Sequence, residues 1–221
     1  MKTVSKPPRP FILDQNDHLK LIGAIAIALP LLLYLQAKLI CHCGLQESIS
    51  HYYYTVSGDL FVGMMCAIGT FMILYRGYEG KDQIATNIAG FFAMAIALFP
   101  TSNNTDIACK IFEYPDNTYR VIFHYGSAAV LFLILAYMCL FIFTLSDKEV
   151  IDQTENKKYR NRFYRLFGIV IIFCVISIFL FNKIPAINHV FPDNYTFWAE
   201  WTATYSFGIA WLMKGGIILK D

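Results

Sequence analysis

Asp59, His124 and Glu200 each interrupt or open a long apolar run, and Ser50 and His51 stand shortly before the first of them. Two imidazoles, two carboxyls and a hydroxyl are side chains that move protons, hold a cation or grip the polar head of an otherwise apolar ligand. An ionisable group placed in hydrocarbon is costly, so each reads as a candidate functional residue by default. Lys214 is a further charged interruption, near the far end of the last run. Its stem is long enough to carry the ammonium out to an interface, so it stays outside the candidate set. The chemistry open to the other five depends on whether the segments that carry them reach one level.

Those segments belong to a membrane. Of 221 residues, 57% are hydrophobic and only 15% charged, whereas about a quarter of a soluble domain is charged. Six apolar stretches result, at about 20–40, 59–76, 84–100, 121–145, 163–182 and 197–219. About 20 helical residues cross a hydrocarbon core, and no stretch shows the alternation of a membrane β-strand. The expectation is an all-α, polytopic membrane helix bundle of six transmembrane helices forming a single membrane domain over 1–221. The third stretch is the shortest and needs Thr86 and Asn87 to reach across; if it only re-entered the membrane, the topology after it would invert. Charge placement favours six crossings: of the 18 Lys and Arg, only Lys38, Lys110, Arg120 and Lys183 fall in the outer connections. That asymmetry puts both termini in the cytoplasm. Spans two, four and six then run inward from the outer side. Asp59, His124 and Glu200 share one level beneath Ser50 and His51, and an outer-side polar cavity follows.

Each residue also has a plain structural role. Ser57 or Gly58 can cap a helix whose first turn holds Asp59 against the positive end of the dipole. His124 can bond a neighbouring helix. Glu200 lies roughly 9 Å along a helix that begins near Asn194, at 1.5 Å per residue, and needs a partner. His51, Asp59, His124 and Glu200 suit zinc chemically, but no H-E-x-x-H and no H-x-x-x-H stands on any span. No cofactor is therefore expected, with zinc as the alternative. Membrane hydrolases resembling alkaline ceramidases and the adiponectin receptors use Ser, His and Asp early in the chain and an H-x-x-x-H on a seventh helix. This chain has the early order in Ser50, His51 and Asp59, without the terminal pair or the seventh span.

The six cysteines divide by depth. Cys66, Cys139 and Cys174 lie within spans, while Cys41, Cys43 and Cys109 lie in outer connections, where Cys109 can pair with Cys41 or Cys43 in an oxidising compartment. Two glycosylation-type triplets, at 103–105 and 194–196, fall on the same side. Pro7, Pro8, Pro10, Asp14 and Asp17 precede the first span, unlike a secretory leader. The basic run "KKYRNRFYR" at 157–165 is a topology anchor beside anionic head groups. Ala89, Ala93 and Ala97, and the row Asp59, Gly63, Cys66 and Thr70, have the spacing of close helix packing, and Pro30 should kink the first span. Tyr52, Tyr53, Tyr54, Trp198 and Trp201 fit an interfacial aromatic belt.

"SIS" in the first outer connection, "LYRGYE" after the second span, "FHYGSAA" in the fourth and "AEWTATYSFGIAWL" in the last resemble the six-span group of the damage-regulated autophagy modulators. That group includes relatives in glycosylphosphatidylinositol remodelling and in regulation of phosphoinositide kinases. The resemblance implies a lipid-associated membrane protein and transfers no catalytic residue. The sequence reading is thus an integral membrane protein of a plasma, inner or endomembrane, lipid-associated, with a polar cavity and no catalytic motif. A zinc-assisted lipid hydrolase and a small proton- or ion-coupled transporter or channel are the alternatives. The partner expected is membrane lipid, with no nucleic acid and with a homo-oligomer left open.

Overall fold

The computed structural model describes residues 14–77, 80–103, 109–111, 113–115, 117–146, 153–185 and 189–219. The proline-rich start of the chain, and Asn104 and Thr105 of the first glycosylation-type triplet, lie outside the described residues. Six long helices account for most of the rest: α1 (Gln15–Cys41), α2 (Gly58–Leu74), α3 (Lys81–Leu98), α4 (Thr118–Tyr137), α5 (Glu155–Lys183) and α6 (Tyr195–Lys214). A six-residue 3₁₀ helix, Ile49–Tyr54, sits between α1 and α2, and a π-helical stretch, Met138–Ile142, continues α4. No strand occurs among the described residues. Among the described residues, three helices are long and apolar enough to cross a membrane: α1, α4 with its π continuation, and α5. Helix α2 is a shorter apolar helix.

The helix starts are written locally. Asp14 caps α1 by accepting from Asp17 N at 2.7 Å, Asn117 caps α4 from Arg120 N at 3.1 Å, and Thr154 caps α5 from Lys157 N at 3.1 Å. Each satisfies an amide that a first turn leaves without a partner. Helix α1 runs through Pro30 and ends at His42, whose φ of 55° is left-handed. Helix α5 begins eight residues before the expected span, so the run "KKYRNRFYR" is helical. Lys157 Nζ donates to Phe143 O and Leu145 O, tying that run to the end of α4.

Each helix packs on its neighbours in sequence, and α6 closes back on α1, so the six form a ring. Glycines set two of its seams. A Cβ on Gly69 of α2 would stand 2.7 Å from Gly90 O of α3, and one on Gly90 would stand 2.5 Å from Gly69 O. A Cβ on Gly23 of α1 would stand 2.7 Å from Gly208 O of α6. The row Ala89, Ala93 and Ala97 is buried along α3 as its spacing predicts. The row on α2 behaves otherwise: Asp59, Gly63 and Thr70 are exposed and Cys66 only half-buried. The packed face of α2 carries Phe61, Met65, Ile68, Gly69 and Met72 instead.

A disulfide joins Cys43 to Cys109 across 66 positions and leaves Cys41 a free thiol. It ties the segment after α1 to the segment before α4. Two of the three tyrosines of the 3₁₀ helix depart from the belt expectation. Tyr52 and Tyr54 are fully buried: Tyr54 Oη donates to Thr101 O at 2.6 Å, and Tyr52 packs against Phe197. Burial lifts the Tyr52 phenol to about 12, as expected for an acid whose charged form is desolvated. Trp198 alone is well exposed, stacked on Trp201 at 5.5 Å.

Candidate functional site

The 3₁₀ helix is the piece that organises the site. Its backbone has few intrahelical bonds to offer, so its ends are held from outside. Thr55 Oγ1 donates to Tyr52 O at 2.9 Å and accepts from Ser57 N at 3.1 Å. Ser57 Oγ, fully buried, donates to Leu33 O of α1 at 2.9 Å. At the other end two bonds run reciprocally to α6: Phe197 N donates to Glu47 O at 2.8 Å, and Ile49 N donates to Glu200 Oε2 at 2.7 Å. Glu200 is therefore the cap of the 3₁₀ helix, and the Glu47 carbonyl is the cap of α6. Shielded from water, a bond of this kind is stronger than the same bond in solvent.

Beside this clamp a cavity of about 60 Å³ lies between the helices. Its wall on α2 is Phe61, Met65, Ile68 and Met72, which at 1.5 Å per residue extends over about 16 Å. Leu131 and Leu135 of α4, Leu29 of α1, Ile96 of α3 and Phe207 of α6 are among the other apolar residues that line it. The polar side chains in the lining are Ser50, Glu200 and Thr204. Glu200 and Thr204 are one turn apart on α6, so both look the same way. Glu200 Oε2 is committed to Ile49 N–H, whereas Oε1, the Ser50 hydroxyl and the Thr204 hydroxyl bond to no other described residue.

The five sequence candidates therefore separate. Ser50 and Glu200 line the cavity together. His51 is buried but does not line it: its Nδ1 is 2.7 Å from Ser48 Oγ, and its Nε2 is buried without a partner among the described residues. Burial, with the nearby His124 acting in the same direction, holds the His51 imidazole down to about 4. His124 is also buried, and its Nδ1 lies 2.6 Å from Phe99 O. A carbonyl only accepts, so that nitrogen carries the proton. Asp59 is exposed on the first turn of α2 and takes no part in the cavity. The cavity is consequently apolar with a polar end, rather than the polar pocket of four ionisable groups that the sequence suggests. Each imidazole has its Nδ1 taken up by a neighbour within hydrogen-bonding reach.

Among the described residues no group of three His, Cys, Asp or Glu side chains could hold a metal ion. The zinc alternative thus has no ligand set to rest on within those residues. The residues that sequence reasoning missed are the apolar wall. On a helix as uniformly apolar as α2, hydrophobic periodicity carries almost no signal, and the small-residue row points to the opposite face. Comparison of the chain with protein-family models, curated proteins and solved structures gives no match.

Proposed function

We propose that the chain is a six-span integral membrane protein with both termini on the cytoplasmic side, and that its central cavity holds one hydrocarbon chain of a membrane lipid. The observation that carries this reading is the chemistry of the cavity lining: Phe, Met, Leu, Ile and Ala, with Ser50, Glu200 and Thr204 as its polar side chains. Apolar cavities of this kind stay dry and take apolar ligands. Methionines, which adapt to the shape of what they touch, stand at Met65 and Met72 along the wall. The disulfide, the Glu47–Phe197 and Glu200–Ile49 bonds and the buried tyrosines all lie at the polar end, which supports placing it on the oxidising side.

The fixed position of Glu200 favours binding over transport. Its carboxyl caps Ile49, and a carrier that must release and recapture its cargo would have to break that bond in each cycle. The reading is tested by closing the cavity. Leu131→Trp and Ala128→Phe put extra bulk into its wall, and lipid that co-purifies with the protein through detergent exchange is counted by mass spectrometry. Loss of a stoichiometric lipid in both variants, with thermal stability retained, is the expected result. A parent protein that carries no lipid after gentle extraction contradicts the proposal.

A further inference from the structure

Helix α5 carries one face that its neighbours leave uncovered. Lys158, Arg162, Arg165, Ile169, Phe173 and Ile176 follow one another at i, i+4, i+7, i+11, i+15 and i+18. At 3.6 residues per turn they fall within about a quarter of the helix circumference. The opposite face packs, with Tyr164, Gly168, Ile171 and Cys174 buried. Along the row Arg162 and Arg165 are exposed, and Ile169, Phe173 and Ile176 keep 59%, 68% and 52% of their surface. Of the three helices long enough to cross a membrane, α5 buries the smallest share of its apolar length. The row is therefore basic as far as Arg165 and apolar from Ile169 onward. Arg165 to Ile176 covers about 16 Å at 1.5 Å per residue, close to half of a hydrocarbon core of roughly 30 Å.

Setting topology needs positive charge on one side and no particular arrangement of it. On α5 the charges are sorted. Lys157 Nζ donates to Phe143 O and Leu145 O, and Arg160 Nη1 donates to Leu219 O, so both are committed to the bundle. Lys158 pairs with Glu155 at 2.9 Å. The Arg162 guanidinium lies over the exposed ring of Tyr159, 5.5 Å from its centroid. A stacked guanidinium keeps its N–H donors at its edge, the side that grips a phosphate in bidentate fashion. Arg165 stands next along the same face, at the boundary with the apolar half. We propose that this face of α5 binds one anionic phospholipid, with Arg162 and Arg165 holding its phosphate and an acyl chain lying along Ile169, Phe173 and Ile176. The site lies outside the bundle and does not depend on the central cavity. A zwitterionic head brings an ammonium towards two arginines and is disfavoured on charge. Free phosphate shares the head chemistry but has nothing to lay along the apolar half of the row.

The test places the full chain in nanodiscs of equimolar phosphatidylglycerol and phosphatidylcholine, with a mid-chain diazirine on one lipid or the other. Labelling of 169–176 is mapped by mass spectrometry and normalised to the exposed surface of α4 around Leu133. A basic side chain at an anionic surface is worth about a fivefold preference. The expected result is thus labelling of 169–176 about fivefold or more heavier by phosphatidylglycerol than by phosphatidylcholine. Arg162→Gln combined with Arg165→Gln should bring that ratio below about twofold with thermal stability retained, both side chains being exposed. Lys81→Gln removes an exposed charge assigned to the same side of the membrane and should leave the ratio unchanged. Equal labelling by the two lipids, or an equal fall in Lys81→Gln, would overturn the site in favour of diffuse attraction. A preference abolished by excess inorganic phosphate at constant ionic strength would overturn the lipid as its occupant.

Discussion

The two faces of α2 give the structure a test with opposite signs. Adding a methyl at Gly63, where nothing stands within 4 Å of the new Cβ, should only improve helix propensity, a gain of about 0.5–1 kcal/mol. Adding it at Gly69 brings the same propensity gain, but the methyl would stand 2.7 Å from Gly90 O and 2.8 Å from Met94 Cγ. The Met94 side chain can move; the α3 carbonyl cannot without separating two helices along their seam. Overpacking of a tight core costs about 1–3 kcal/mol, which exceeds the propensity gain. Gly69→Ala should therefore come out about 1–2 kcal/mol less stable than the parent. The two variants then differ by roughly 2 kcal/mol, equivalent to about 4–8 °C in Tm for a chain of this length. The assay is thermal unfolding in one detergent, read by thiol-reactive dye and by tryptophan emission in parallel. If Gly63→Ala lowers Tm while Gly69→Ala leaves it unchanged, the assignment of the packed face is wrong, and the small-residue row of the sequence reading is the true interface.

Other expectations follow from single contacts. Cys43→Ser or Cys109→Ser removes a link that closes 66 positions, worth about 4 kcal/mol on loop-closure entropy; either should lower Tm in non-reducing buffer and abolish its sensitivity to dithiothreitol, while Cys41→Ser changes neither. A Cys41 variant that removes the dithiothreitol effect would assign the bridge to the wrong cysteine. His51 stays neutral in the folded chain down to about pH 4, whereas an unfolded histidine takes its proton near 6.5, so the unfolded state binds more protons between those values. Its contribution is fully present above pH 6.5 and is lost as pH falls towards 4, with a slope of up to about 1.4 kcal/mol per unit. His51→Gln should flatten that part of a stability profile, and an unchanged slope would refute it. For the topology, Lys81→Cys and Lys158→Cys should react with an impermeant maleimide only after permeabilisation, and Glu113→Cys should react in intact cells. Reaction of Lys81→Cys and Lys158→Cys from opposite sides would break the six-span reading.

Much of the helical framework is legible in the sequence because each apolar run ends in capping or charged residues. Asp14 and Asn117 start helices within a few residues of where the runs begin, whereas Thr154 starts α5 eight residues ahead of its expected span, adding the basic prelude. The site is legible in half. Ser50 and Glu200 stand out as polar residues in apolar surroundings, and they do share a wall. His51 and His124 stand out for the same reason, yet Ser48 Oγ and Phe99 O take up their rings, and neither partner is signalled by spacing. Tyr52 and Tyr54 look like belt residues because aromatic side chains near a helix end usually are. Only the fold of the 3₁₀ helix reveals that they fill the bundle. The apolar wall is silent in the sequence, since which face of an all-apolar helix turns inward is decided by shape at Gly69 and Gly90 rather than by polarity.

The central claim is that a lipid chain occupies the cavity. An electron-microscopy map of the protein in nanodiscs made from native membrane tests it most directly. The account expects one continuous tubular density alongside Phe61, Met65, Ile68 and Met72. Helices closed on one another through that space, or Glu200 turned out of it with the Ile49 bond broken, would contradict the account.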